Sequence, residues 1–222
     1  MTMRFCAILT SNPSGLHCAS QAVKPVLVVL FAAISLVASA APTSLSVTVV
    51  GTDINDPRWQ AVAEAVEFWN QQLADAGVRV RLGPIARLVQ PVPDDTLRRL
   101  SEVAVASRFE GDLPQEIEHI PGDIIVALST ADLISFGLQW SPHRKGLVGL
   151  RRADIPVMSL PNVPRNVVAH ELGHVLGLGH NSDPATLMCG RPAPCRPTLF
   201  ASNSSNFFPL TEADRAALRA RW

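Results

Sequence analysis

Apolar and polar positions along the chain recur with two different periods, and the changes of period mark out most of its elements. Over Ser44–Val50 (SLSVTVV) apolar residues fall on every second position, which predicts a half-buried strand. Trp59, Val62, Val66, Trp69 and Leu73 then recur every three or four residues, so a helix with one apolar stripe follows. Pro57 opens it with Asp56 as N-cap, and Gly77 stops it. The stripe assigns both Trp residues to core packing rather than to a ligand platform. Val78–Leu82 (VRVRL) alternates again and is expected to pair with the first strand. A weaker helical pattern covers Asp95–Ser107. Within Ile120–Ser129 the run Asp123–Leu128 is almost continuously apolar, which predicts a central strand. Gly146–Arg151 and Ile155–Leu160 read as two further short strands. Asn162–Leu178 is helical, and from His180 to Pro209 the chain is rich in Pro, Ser, Asn and Gly and reads as irregular. A last helix starts at Thr211, with Asp214 as its capping-box-like partner and Ala217, Leu218 and Trp222 on its apolar side. The order predicts an α/β (α+β) fold, a mixed twisted sheet layered with helices.

The first forty residues follow neither period. Val26–Val37 (VLVVLFAAISLV) is almost wholly apolar, Arg4 and Lys24 are the only charges before it, and Ala38-Ser39-Ala40 follows it. That layout predicts a signal peptide over 1–40, a mature chain starting at Ala41, and a secreted or periplasmic protein. The run is shorter than the roughly 18–20 residues that span a bilayer. An uncleaved anchor is the competing reading, and it is the only route by which a membrane enters the picture. Residues 41–222 then make one domain, with no internal repeat and no linker long enough to separate a second.

Composition changes this picture little. Of the 222 residues 47% are hydrophobic and 17% charged, enough apolar surface for a full core and too much for disorder. The formal net charge of +0 excludes the basic footprint of a nucleic-acid binder. Without Arg4 and Lys24, Lys plus Arg falls from 19 to 17 against 19 acidic residues, so the mature chain carries about −2. Cys6 and Cys18 leave with the signal segment. Cys189 and Cys195 remain, and an exporting compartment makes a disulfide across that short Pro-containing loop the expectation, with two free thiols as the alternative.

From His170 the sequence reads HELGHVLGLGHN. His170 and His174 stand at i and i+4, so both imidazoles project from one helix face within reach of one metal ion. Glu171 is angled to reach a metal-activated water rather than the metal. Gly177 lets the backbone leave the helix sharply, and His180 completes a set of three nitrogen ligands. Three protein ligands leave a fourth position open, the pattern of a catalytic rather than a structural zinc. A bare H-E-x-x-H occurs often by chance, but five specified positions matched over eleven residues do not.

His170-Glu171-x-x-His174-x-x-Gly177-x-x-His180, followed by Met188, resembles the signature of the metzincin metallopeptidases with its Met-turn. Within that clan HNSDPATLM is similar to the matrixins, the matrix-metalloproteinase-like family, as is Leu210-Thr211-Glu212-Ala213-Asp214. The resemblance implies His170, His174 and His180 as ligands of one catalytic Zn2+, Glu171 as general base, and Met188 as an apolar floor beneath the metal. It implies that Asp214 buttresses the Met-turn, where capping of the last helix is the plain alternative. It implies a metzincin-like catalytic domain with an N-terminal subdomain over 41–178 and a C-terminal one over 179–222, and it allows calcium without naming ligands. The expected activity is a monomeric secreted zinc endopeptidase acting on protein or peptide substrates. Substrate is expected to lie extended along an edge strand, for which Gly146–Arg151 is the candidate. The competing class is a zinc-binding but non-proteolytic interaction protein, free or membrane-tethered, and Glu171 argues against it. Asn181 replaces the Ser usual in matrixins, and Cys189-Gly190-Arg191-Pro192 departs from their usual S1′ wall, so subsite preference is not carried over. No thiol-blocking propeptide fits between Ala41 and the first strand, and His119 and His143 read as surface histidines.

Overall fold

The computed structural model of the chain describes residues 41–105, 111–140, 145–160, 162–190 and 206–222. The expected signal segment and His143 lie outside them. Among the described residues no helix is long and apolar enough to cross a membrane. Ala40–Trp222 forms one compact unit.

The alternating run becomes β1 (Thr43–Val50) and the Trp-bearing stripe becomes α1 (Arg58–Asp75). Trp59, Val62, Val66, Trp69 and Leu73 are all buried. Each such side chain contributes about 1.5–3 kcal/mol by leaving water, so packing rather than intrinsic propensity holds the helix. The helix boundary falls at Pro57, yet the Asp56 carboxylate accepts the Arg58 backbone N–H at 2.9 Å and so does the capping from one residue further out. β2 (Val80–Leu88) is longer than its sequence pattern, because Gly83 at φ +116° carries the strand past a register shift against β1. After α2 (Asp94–Val105) and the single turn α3 (Gln115–Glu118) come β3 (Ile124–Leu128), β4 (Phe136–Trp140) and β5 (Lys145–Leu150). α4 (Asn162–Val175) and α5 (Glu212–Arg221) complete the order.

The five strands lie in the order β2-β1-β3-β5-β4, all parallel except β4, which runs antiparallel to β5. β3 is the middle strand, as its apolar run predicts. Ile124, Val126 and Leu128 face the cluster containing α1 and α4, while Ile125 and Ala127 face a second cluster containing Leu97 and Leu100 of α2. Helices on both faces leave no side of β3 to solvent, which is why its sequence does not alternate.

Two sequence expectations are corrected here. Gly146–Arg151 is not an edge: β5 is hydrogen-bonded on both sides, and the edge strand is β4, to which the sequence reading assigned no strand. Ile155–Leu160 is not a strand either. Pro156–Ser159 forms a 3-10 turn closed by the Met158 N–H on the Ile155 carbonyl at 2.9 Å. Pro156 fixes φ and has no N–H to give a ladder, and only Met158 of the turn is buried.

Candidate active site

α4 positions the site through what it packs against. Val168, Ala169, Leu172 and Val175 are buried under α1 and the sheet. The Trp69 indole donates to the Ala169 carbonyl at 2.8 Å, one residue before His170. The opposite face of the helix carries His170 and His174. Its C-terminus is a Schellman motif: Leu178 N–H donates to Gly173 O and Gly177 N–H to His174 O, both at 2.9 Å, with Gly177 at φ +97°. The left-handed residue turns the chain out of the helix, which ends at Val175, three positions before the Leu178 of the sequence pattern, and brings His180 back over the side that carries His170 and His174.

The return is held by a short ladder. Asn181 N–H donates to Met188 O at 2.8 Å, Gly190 N–H to Asn181 O at 2.9 Å, and Leu187 N–H to Pro209 O at 2.9 Å. Met188 is wholly buried with its sulfur against Gly173, where a Cβ would lie 2.5 Å from Sδ. A side chain at Gly190 would overlap the His180 ring. Met188 therefore lies against the active-site helix, as a floor would. Cys189 is buried and disulfide-bonded, and Cys195, the expected partner, lies outside the described residues.

The three Nε2 atoms converge: His170 to His180 and His170 to His174 at 3.1 Å, and His174 to His180 at 3.0 Å. His170 Nδ1 is 2.7 Å from Leu187 O and His174 Nδ1 is 2.8 Å from Leu178 O. A carbonyl can only accept, so each Nδ1 carries the proton and each Nε2 of a neutral ring is a bare lone pair. Burial holds the His174 imidazole below its ordinary value, with the Leu178 carbonyl opposing and His180 adding to the fall; burial lowers His180 as well. Lone pairs brought this close repel unless a cation lies among them. The donor set thus fits one zinc ion, with the two backbone carbonyls orienting its ligands.

Glu171 is buried beside the triad, and the edge strand closes over it. The Gly137 N–H of β4 donates to its side chain. Burial pushes the Glu171 carboxyl up to about 8, against the pull of that bond, and a cation at the triad would act in the same direction as the bond. Gly137 is needed for the approach: a Cβ there would overlap the Glu171 backbone carbonyl and lie 3.0 Å from the His174 Cβ.

Asp214 accepts Thr211 N–H at 2.8 Å while Thr211 Oγ1 accepts Asp214 N–H at 3.0 Å, a complete capping box, so capping is the role seen. His119 is exposed and away from the triad cluster. The sequence pattern singles out neither Gly137, Gly173 and Gly190 nor the carbonyls of Leu178 and Leu187. A signal existed for the first, since Phe136-Gly137-Leu138-Gln139-Trp140 alternates with period two. Backbone carbonyls leave no mark in a sequence.

The matrixin family model matches residues 159–219, a span that contains all three histidines, Glu171, Met188 and most of α5. No curated protein matches the chain. Among solved structures, archaemetzincin from Methanopyrus kandleri is similar at 19% identity and a TM-score of 0.45, over 84% of this chain and 98% of that one. Residues 159–219 are thus similar to the matrixin zinc-metallopeptidase site, and the histidine triad of that site is intact here.

Proposed function

We propose that the chain is an extracytoplasmic matrixin-like zinc endopeptidase that cleaves extended segments of protein substrates. One observation carries the reading: three imidazole nitrogens, two of them oriented by backbone carbonyls, converge within 3.1 Å beside a buried carboxyl that belongs to none of them. A structural zinc site has no use for that carboxyl. Zinc held by His170, His174 and His180 supplies Lewis acidity and water activation. Glu171 takes the proton from the attacking water at its carboxylate and passes it to the departing amine. The Gly137 N–H fixes the carboxylate for that exchange. β4 is the edge on which an extended peptide adds as a further strand beside Glu171. Location outside the cytoplasm is supported by the Val26–Val37 run with Ala38-Ser39-Ala40 and by the disulfide at Cys189.

The test is digestion of an unfolded protein by the zinc-loaded chain, with and without chelator, beside Glu171→Gln. Cleavage should cease in chelator and fall by about 10²–10⁴ in the variant, which should still bind zinc. Cleavage that survives chelation, or a variant as active as wild type, removes the reading. Intact-mass analysis of the exported protein tests processing after Ala40, and a mass that retains 26–40 favours an anchor.

A further inference from the structure

The last turn of α5 reaches both the edge strand and the turn that ends α4. Arg221 Nη2 donates to Gln139 Oε1 on β4. The rest of the same side chain lies over Gly177, where a Cβ would come within 2.5 Å of Arg221 Cδ and 2.6 Å of Nε. The next residue adds a third tie, since the Trp222 indole donates to Leu176 O at 3.1 Å in the turn that ends α4. Gln139 is two residues beyond Gly137, hence about 6.6 Å along the strand and on the same face. That face looks at α4, because the position of a Gly137 Cβ is against Glu171 and His174. Phe136, Leu138 and Trp140 turn the other way, into the second core cluster.

We propose that Arg221 is a positioning residue that sets the spacing between the substrate-bearing edge strand and the Gly177 turn that delivers His180, an inference that rests on the proposed peptidase reading. Three physical features make it suited to this. Its guanidinium stands at the C-terminus of α4, where the helix dipole favours a cation. None of the ion pairs among the described residues engages Arg221, so none of those carboxylates competes with Gln139 for its fork. Gly177, favoured by its φ of +97°, also leaves room for the Arg221 side chain over the turn. β4 has a strand neighbour only in β5, so on its other side the Gly137 bond to Glu171 and the Arg221 bond to Gln139 are what tie it to the helices.

Arg221→Ala, Arg221→Lys, Gln139→Ala and the double alanine variant test this by hydrogen exchange and kinetics on the zinc-loaded protein. In Arg221→Ala, exchange across residues 136–140 should quicken by about fivefold while β1 and β3 stay unchanged. KM for an extended peptide should rise by about fivefold with little change in kcat. Gln139→Ala should do the same, the double variant should do no more than either single one, and Arg221→Lys should recover part of the loss. Unchanged exchange in β4, or additive losses in the double variant, overturns the proposal. Exchange is read without any cleavage, so a chain that cleaves nothing would remove the peptidase reading and leave the tie between α5 and β4 still tested.

Discussion

The two edges of the sheet are built in opposite ways. β2 is long, bulged where it passes Gly83-Pro84, and exposed from Pro84 through Arg87. Pro84 offers no N–H, and the kinked, charged strand presents no continuous ladder to a newcomer. β4 is five residues long, has no proline, and alternates buried Phe136, Leu138 and Trp140 with half-buried Gly137 and Gln139. Its surroundings are fixed by α4, by Arg221 and by α2, which holds the chain entering β4 through Ser101 Oγ on Ile134 O at 2.7 Å. One edge is blunted against strand addition, and the other, beside the buried Glu171 carboxyl, is the one on which the proposed substrate strand would add. An edge strand is a liability that becomes a binding site once its position is controlled.

The sharpest way to break this contrast is to add one methyl group to each edge. Gly137→Ala drives a Cβ into the backbone of α4, so strand and helix must part by a fraction of an ångström or more. We expect kcat/KM to fall by about 10², since a misplacement of that order misaligns the reacting groups. Gly83→Ala meets open space and suffers only its left-handed φ of +116°, so it should lose about 1–2 kcal/mol in denaturant melts and keep its kcat/KM. Equal rate losses in the two variants would show that the β4 edge has no special role. Between these lies Gly173→Ala, which presses on Met188 Sδ from the helix side. It should weaken zinc binding by about 10–100-fold in competition with a chelating dye, with β4 exchange unaltered.

The smallest expected effect concerns the approach to β4. Asp94 accepts hydrogen bonds from Ser129 Oγ and Thr130 Oγ1, both at 2.6 Å, in the segment between β3 and β4. Burial raises its carboxyl, but those bonds, the Thr130 N–H and the Arg98 charge outweigh it and leave it below the ordinary 3.8. A carboxyl depressed in the folded state contributes stability that is whole above 3.8 and is lost as pH falls through that value toward the folded one. Asp94→Asn should therefore cost about 1 kcal/mol near neutral pH, and the deficit in Tm against wild type should shrink on acidification below about pH 4. A deficit that is flat with pH would place the effect in packing rather than in the ionised carboxylate.

Much of this molecule is legible in the chain itself, for local reasons. The spacing of His170, Glu171, His174, Gly177 and His180 states both the helix and its exit, because i,i+4 residues share a helix face and only glycine enters the left-handed region cheaply. The stripe of α1, the apolar run of β3 and the Thr211–Asp214 capping box are likewise written in neighbouring residues. What the chain left open depends on partners far away in sequence. β4 and β5 could not be ordered by pattern, since an edge is defined by the absence of a neighbour and not by a residue type; the continuous apolar character of β5 was a sign of burial that the glycines obscured. The proton-bearing nitrogens of His170 and His174 are chosen by the carbonyls of Leu187 and Leu178, which every residue possesses and no sequence distinguishes. The value of Gly137, Gly173 and Gly190 lies in what they allow to come close, and that was decided only when strand, helix and Met-turn were packed together.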